Sequence, residues 1–382
     1  MIVRKKICFV VSSPLTIQAF LLNHFKVLKA EFDIYVVANF DHQHDTLILS
    51  QLADFTVCNI KILRAINPVS DLKALISLQK YFRANKFDAV HAVTPKAGLL
   101  AMTAAYMAGV KNRVHIFTGQ VWYNKKGTMK KLLIYLDKLI VRWSTHILVD
   151  GEAQRSFLIS KHIIMDSNSQ VLGKGSISGV DTNRFNPRAS TRKNIRNELS
   201  LKDTDIVFGF LGRLNKDKGI LDLASAFKAL KDDYPDPKLL LIGNDEENLI
   251  PQVQQIINDS NSVIFYGPTP KPEIILQAVD IFCMPSYREG FGTSVLEASL
   301  LGLPVICSDT YGLMDTIIEN ETGLRHEAGN IRSLSDQMRK LIQSPELRKY
   351  LGENGARFVT GNFSAANISG EWLEFYKGLF RN

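Results

Sequence analysis

The sequence predicts an α/β protein made of two Rossmann-like doubly wound parallel-sheet domains that face each other across a deep cleft. Three observations predict it. Short apolar runs rich in Val, Ile and Phe alternate with longer stretches of helical period, the pattern of parallel strands covered by helices on both faces. The alternation completes one round and then begins again after a polar stretch. The length, 382 residues, exceeds what one ordinary core organises.

The first round opens with residues 7–11, an apolar run closed by Ser12, Ser13 and Pro14. Basic residues precede it, but the run is too short for the apolar part of a secretory signal and reads as a buried first strand. Further strands are expected at 34–38, 89–93, 114–117 and 146–149, with helices at 16–30, 71–85, 98–108 and 128–143. A charge-rich stretch, 186–205, separates the rounds. Strands of the second round are expected at 206–211, 239–242, 263–266, 281–284 and 304–308, with one helix over 220–232 and another beginning near Thr293. The domains are drawn accordingly at 1–185 and 186–364. The chain ends in FSAANISGEWLEFYKGLF, an amphipathic helix carrying Trp372, Phe375, Tyr376 and Leu379. That side is too apolar to stay in water, so residues 365–382 are expected to pack back on the first domain.

Composition narrows the partners. With 46% hydrophobic and 22% charged residues and no low-complexity tract, the chain is neither disordered nor fibrous. No run approaches the roughly 18–20 apolar residues of a spanning helix, so a cytoplasmic protein is expected. Cys8, Cys58, Cys283 and Cys307 lack ligand-type spacing and read as reduced thiols. Residues 1–180 hold 23 Lys/Arg against 11 Asp/Glu, whereas the remainder is mildly acidic. These cations are spread over many elements without a nucleic-acid-binding motif, so nucleic acid is not the expected partner. An anionic membrane face or a diphosphate-bearing acceptor fits better. The stretch VWYNKKGTMKKLLIYLDKLIVRW sets Trp122, Tyr123 and Trp143 among Lys125, Lys126, Lys130, Lys131, Lys138 and Arg142. It reads either as a core-packed helix with a solvated basic side or as a surface resting on anionic headgroups.

Ligands of open α/β sheets bind beyond the carboxyl ends of the strands, so chemistry is sought there. After strand 206–211 comes GRLNKDKG: Gly212 allows close approach to the backbone, and Arg213 and Lys218 stand beside a helix N-terminus. Such an arrangement suits a diphosphate; the alternative is a solvated basic turn capped by Asp217. After strand 281–284 comes PSYREGFGTSVLEASLLGLPVICSD, with Glu289 in the loop and Glu297 about a turn deeper in the helix. Carboxylates accept hydrogen bonds well from vicinal hydroxyls, and the turn Gly290, Phe291, Gly292, Thr293 offers backbone amides. A dinucleotide oxidoreductase is disfavoured because SSPLTIQAF replaces a G-x-G-x-x-G opening.

The segments GFLGRLNKDKG, SYREGFGTSVLEASLLGLPVICSD and GLMDTIIENETGL, in this order and spacing, resemble the retaining glycosyltransferases of family 4, of the GT-B fold. HAVTPKAGLLAMTAA, FTGQVWYNKKG and VLGKGSISGVDTNRF resemble the capsule, O-antigen and exopolysaccharide branch of that family. The resemblance implies that Arg213 and Lys218 bind the diphosphate of a nucleotide-sugar donor, that Glu297 contacts its ribose, and that Glu289 holds hydroxyls of the transferred sugar near the amides of Phe291 and Gly292. Ser12 and Ser13 stand where many relatives carry a Gly pair. The histidine that many members place after the fourth strand is absent: His115 lies earlier and reads as a core histidine, which leaves Thr118, Gly119 and Gln120 as the wall of the sugar pocket. Lys96 meets either an acceptor phosphate or solvent. The resemblance further implies transfer of a sugar, from a UDP-sugar in the first instance, to a lipid-linked (polyprenyl diphosphate) saccharide by front-face attack. No cofactor or metal ion is expected, Arg213 and Lys218 standing in for a divalent cation, and peripheral association with the inner face of the plasma membrane is expected. Two alternatives stay open, a GT-B-fold nucleotide-sugar epimerase and an inactive sugar-nucleotide-binding subunit.

Overall fold

The computed structural model describes residues 4–41, 44–63, 65–231, 233–234 and 236–381. The chain forms two units, Met1–Ser178 with Ala365–Asn382, and Gly179–Ser364. The division falls ahead of the expected boundary at 185 because Val180 and Phe185 are buried in the second unit's core and the Val180 amide donates to the Phe363 carbonyl at 2.8 Å.

The first unit is a seven-stranded sheet in the order β3-β2-β1-β4-β5-β6-β7. Its strands are β1 Lys6–Val10, β2 Asp33–Ala38, β3 Thr56–Asn59, β4 Ala89–Val93, β5 Asn112–Phe117, β6 His146–Val149 and β7 Ser169–Val171. Every pairing is parallel. The central strands are buried almost throughout, as expected for strands covered on both faces. The edge strands β3 and β7 were not expected from the sequence: TVCN and SQV are short, and neither is a continuous apolar run. The expected helix 16–30 is interrupted, running as Pro14–Thr16, a π-turn at Ile17–Leu21 and Leu22–Leu28.

The terminal helix Ala365–Arg381 belongs to this unit, and Ile368, Trp372 and Tyr376 are buried in its core. Two histidines hold it. The rings of His24 and His91 both stack on the Trp372 indole, at centroid distances of 4.2 and 4.8 Å and each within 4° of parallel. His24 Nδ1 lies 2.9 Å from Ser369 Oγ, and His91 Nδ1 lies 2.6 Å from the Tyr376 hydroxyl. Burial lowers both imidazoles below their ordinary range, His24 to about 4, so they are neutral at pH 7 and pack as aromatic surface.

The second unit is a six-stranded sheet in the order β10-β9-β8-β11-β12-β13. Its strands are β8 Val207–Leu211, β9 Lys238–Ile242, β10 Val263–Gly267, β11 Ile281–Met284, β12 Val305–Ser308 and β13 Leu324–His326, all parallel. Strand β13, LRH, is another short edge strand that was not expected. The helix expected over 220–232 runs Ile220–Lys231; Asp232 lies outside the described residues. The charge-rich stretch before β8 is not a linker. It contains the helix Ala189–Glu198, whose Arg192 and Arg196 reach Asp280 at 2.6 and 3.3 Å and dock the helix on the sheet.

Candidate functional site

In the second sheet the strand order reverses between β8 and its neighbour β11, which opens the crevice where open α/β sheets hold ligands. The two loops singled out from the sequence are the two that leave these strands. They touch because residue 219 is glycine: its φ is +69°, and a Cβ there would lie 2.1 Å from the Pro285 carbonyl oxygen. Contact between the loops brings Lys218 Nζ onto Glu289 Oε1, an ion pair whose side chains are only 15 and 12% exposed. Ser286 Oγ donates to the same carboxylate oxygen at 2.9 Å, and the buried Ser308 hydroxyl holds the Ser286 carbonyl. The result is one cation and one carboxylate fixed side by side at the sheet's switch point.

Arg213 goes elsewhere. Its guanidinium donates to Glu246 at 3.0 Å, a carboxylate that also accepts from Asn215 at 3.1 Å. With Arg213 45% exposed this is a surface ion pair, worth about 0–1 kcal/mol, which an anionic ligand could displace. The Asp217 carboxylate accepts from Arg288 Nη2 at 3.0 Å.

The turn after Glu289 differs from the expectation at two amides. The Gly292 amide donates to the Gly312 carbonyl at 3.1 Å and is therefore not available to a ligand, and the Thr293 amide is taken by the Phe291 carbonyl at 2.8 Å. Phe291 itself is buried, its ring 5.6 Å from Phe363. Among the described residues, however, the amides of Arg288, Glu289, Gly290 and Phe291 donate to no protein acceptor. Four successive open amides ahead of the helix Thr293–Leu300, whose Gly292 N-cap supplies no side-chain acceptor, are suited to negative or lone-pair-rich ligand atoms.

Glu297 lies on that helix, partly exposed. Loss of hydration pushes its carboxyl up to about 8, against an ordinary 4.5; nearby Arg184 lowers it and Glu273 raises it. No hydrogen bond to this carboxyl occurs among the described residues. At pH 4 folded and unfolded chains both carry the proton. Between 4.5 and about 8 the unfolded chain releases it while the folded one keeps it, so stability falls as pH rises. Glu297→Gln should therefore match wild type near pH 4 and be about 2 kcal/mol more stable above pH 8, a figure reduced for partial exposure. Denaturant midpoints at the two pH values check this.

In the first unit several of the expected pocket residues have partners elsewhere in that unit. Ser12 and Ser13 follow β1, and Ser12 Oγ lies 3.4 Å from Thr94 Oγ1. Thr94 has a φ of +77°, a costly conformation for a β-branched residue that its sequence context did not announce. Lys96, partly exposed, pairs with Asp71 Oδ1 at 2.7 Å and donates to the Ala65 carbonyl. The Gln154 side chain donates to the Thr118 carbonyl and to Gln120 Oε1, both at 3.3 Å; Gln120 is buried, and Gly119 lies between them, partly exposed. His115 is buried, its imidazole lowered to about 3 by lost hydration. Asp150, after β6, went unremarked in the sequence; it is buried and pushed up to about 8 by the same cause.

One Asp-x-Asp pair is Asp203 and Asp205. It precedes β8, at the amino edge of the sheet, and Asp205 Oδ2 accepts from the Lys202 amide at 2.8 Å. Among the described residues no group of three or more His, Cys, Asp or Glu is placed to hold a metal ion. All four cysteines are free thiols.

Comparison with known proteins matches the second unit to the family described as "Glycosyl transferases group 1" over residues 191–358, and the first to the "Glycosyl transferase 4-like domain" over residues 30–170. The chain is 29% identical to the capsular polysaccharide biosynthesis glycosyltransferase CapM of Staphylococcus aureus, over 92% of each chain. It is 29% identical, over 68% of this chain and 67% of the other, to an Escherichia coli UDP-Gal:alpha-D-GlcNAc-diphosphoundecaprenol alpha-1,3-galactosyltransferase. Among solved structures, Anabaena HepE in complex with UDP superposes with a TM-score of 0.81 at 17% identity, over 98% of this chain and all of the other, a likeness of fold.

Proposed function

Because the chain belongs to the group 1 glycosyl transferases, with a glycosyl transferase 4-like domain ahead of the group 1 region, it is a glycosyltransferase, and we propose which reaction it performs. It moves a sugar, with retention of anomeric configuration and without a metal ion, from a UDP-sugar to a saccharide carried on polyprenyl diphosphate, in the assembly of a bacterial surface polysaccharide. The observation that carries this reading is the Lys218–Glu289 pair between the loops leaving β8 and β11. The names of the Staphylococcus and Escherichia relatives support the polysaccharide, the UDP-sugar and the lipid-diphosphate acceptor.

In this reaction the bond from the anomeric carbon to the β-phosphate oxygen breaks, and its electron pair leaves with the diphosphate. The acceptor hydroxyl forms the new C–O bond on the same face, and its proton passes to the departing phosphate oxygen. Charge therefore accumulates on the diphosphate, where a fixed cation lowers the barrier most. Lys218 supplies that cation, Arg213 joins it by leaving Glu246, and the open amides of Gly290 and Phe291 add dipoles. Glu289 accepts from hydroxyls of the sugar, and Glu297 from the ribose diol. Glu289 and Glu297 are not the flanking acids of a glycosidase, since neither is asked to attack or protonate the anomeric centre.

Calorimetric titration of a nucleotide-sugar panel into wild type and Lys218→Ala, followed by transfer to polyprenyl-diphosphate saccharides, tests the reading. Transfer by wild type is the expected result. Conversion of the donor to an epimer with no acceptor product would reject it.

We also propose that the first unit rests on an anionic bilayer. None of its described helices is long and apolar enough to cross a membrane. On the helix Gly127–Trp143, Met129, Leu132 and Tyr135 are about half exposed, beside Lys131 and Lys138 and following Lys125 and Lys126. Trp122 takes no part: it is buried, with its indole N–H on Asp137 at 2.6 Å. Each cation near the headgroups contributes about 1 kcal/mol. Cosedimentation at low salt should favour anionic over neutral liposomes, and Lys125→Glu with Lys131→Glu should abolish the difference. Equal partitioning of wild type onto both would refute this surface.

A further inference from the structure

Lys218 and Glu289 come from different loops, and their pairing depends on the register between those loops. Most of that register is set by residues that precede Glu289 and residues on either side of Lys218. The Tyr287 amide donates to the Asp217 carbonyl at 2.9 Å, and the Tyr287 hydroxyl donates to Asp222 Oδ2. Asp217 immediately precedes Lys218, and Asp222 follows it in the first turn of the helix Ile220–Lys231. Tyr287 thus grips the opposite loop on both sides of the lysine. Its ring lies over Gly329, where a Cβ would come within 3.1 Å of the ring and 3.4 Å of the hydroxyl, so that position leaves the room the ring occupies. The Arg288–Asp217 ion pair is a second tie, more exposed and correspondingly weaker. The hydrogen bond to Asp222 and partial burial push the Tyr287 phenol up to about 12, so the hydroxyl keeps its proton and remains a donor at any working pH.

We infer that Tyr287, acting through Asp222, is a positioning residue that holds the Lys218–Glu289 pair in the geometry the donor diphosphate requires. The inference rests on the donor-site reading above and adds residues that touch neither sugar nor nucleotide. A hydrogen bond to a carboxylate at this place restrains a loop whose displacement by an ångström would separate a cation from the charge it must meet. Removing the hydroxyl leaves the ring and the backbone tie, so the fold survives while the pair loosens.

UDP is the probe, titrated with ligand-detected NMR so that weak binding is still read. Tyr287→Phe and Asp222→Ala should each weaken UDP binding about tenfold, and Asp222→Asn, whose amide oxygen still accepts from the phenol, should keep most of the affinity. Thermal midpoints within a few degrees of wild type are expected for all three. The decisive comparison is the double-mutant cycle: in a Lys218→Ala background, Tyr287→Phe should change nothing further, because the group it positions is gone. An equal loss in both backgrounds would mean general loosening and would overturn the inference. So would wild-type affinity in Tyr287→Phe and Asp222→Ala while Lys218→Ala binds poorly, an outcome that leaves the donor reading standing. Failure of wild type to bind UDP would contradict the donor reading itself, and this proposal with it.

Discussion

Lys218→Ala should lower turnover at saturating nucleotide sugar by at least about a hundredfold, with far-UV circular dichroism unchanged. The size follows from where the cation sits. At 15% exposure its field is poorly screened, and the charge it faces grows only as the anomeric bond breaks, so the interaction favours the transition state over the bound substrate. The substitution also strands Glu289 with Ser286 as a partner, which adds a modest loss of stability but leaves the loop ties through Tyr287 and Arg288 in place. Lys218→Arg should restore only part of the activity, since a planar fork does not replace a point charge in a gap sized for an ammonium. Initial rates and donor affinity, measured separately, check both statements: a fall in affinity alone would assign Lys218 to ground-state binding.

Trp372→Ala should destabilise the first unit by about 3–5 kcal/mol. The indole is fully buried against two imidazoles at 4.2 and 4.8 Å, and neither ring can follow it into the space left, because His24 is tied to Ser369 and to the Ile177 carbonyl and His91 to Tyr376. The terminal helix would lose its central anchor, leaving Ile368 and Tyr376 to hold it. Trp372→Phe should lose less, since a ring still packs against both histidines. Denaturant unfolding followed by tryptophan-independent probes measures the difference, and wild-type stability in Trp372→Ala would show that the helix is not held by this stack.

What the sequence revealed and what it hid divide along physical lines. Strands such as KICFV, VFGFL and IFCM are continuous apolar runs because both faces are covered, and they are legible at once. TVCN, SQV and LRH lie at or near sheet edges, where one side needs no apolar residues and three or four positions suffice, so no pattern marks them. The expected helix 16–30 was read as continuous because a π-turn keeps the helical period nearly intact. In the site, Lys218 and Glu289 were legible because topology sends the loops after adjacent parallel strands to one edge. The partners of Arg213, Lys96 and Gln120 were not, because Glu246, Asp71 and Gln154 reach them through space and no local spacing encodes such meetings. The same holds for Asp217 with Arg288 and Tyr287 with Asp222; opposite charges in the two loops were visible, but their pairing was not.

The central claim, that the loops leaving β8 and β11 hold a nucleotide-diphosphate sugar, is tested most directly by a crystal structure of the protein with UDP bound. Phosphate oxygens are expected within hydrogen-bonding distance of Lys218 Nζ and of the open amides after Glu289, with the ribose hydroxyls on the Glu297 carboxyl group. UDP bound away from these groups, with Lys218 still closed on Glu289, would contradict it.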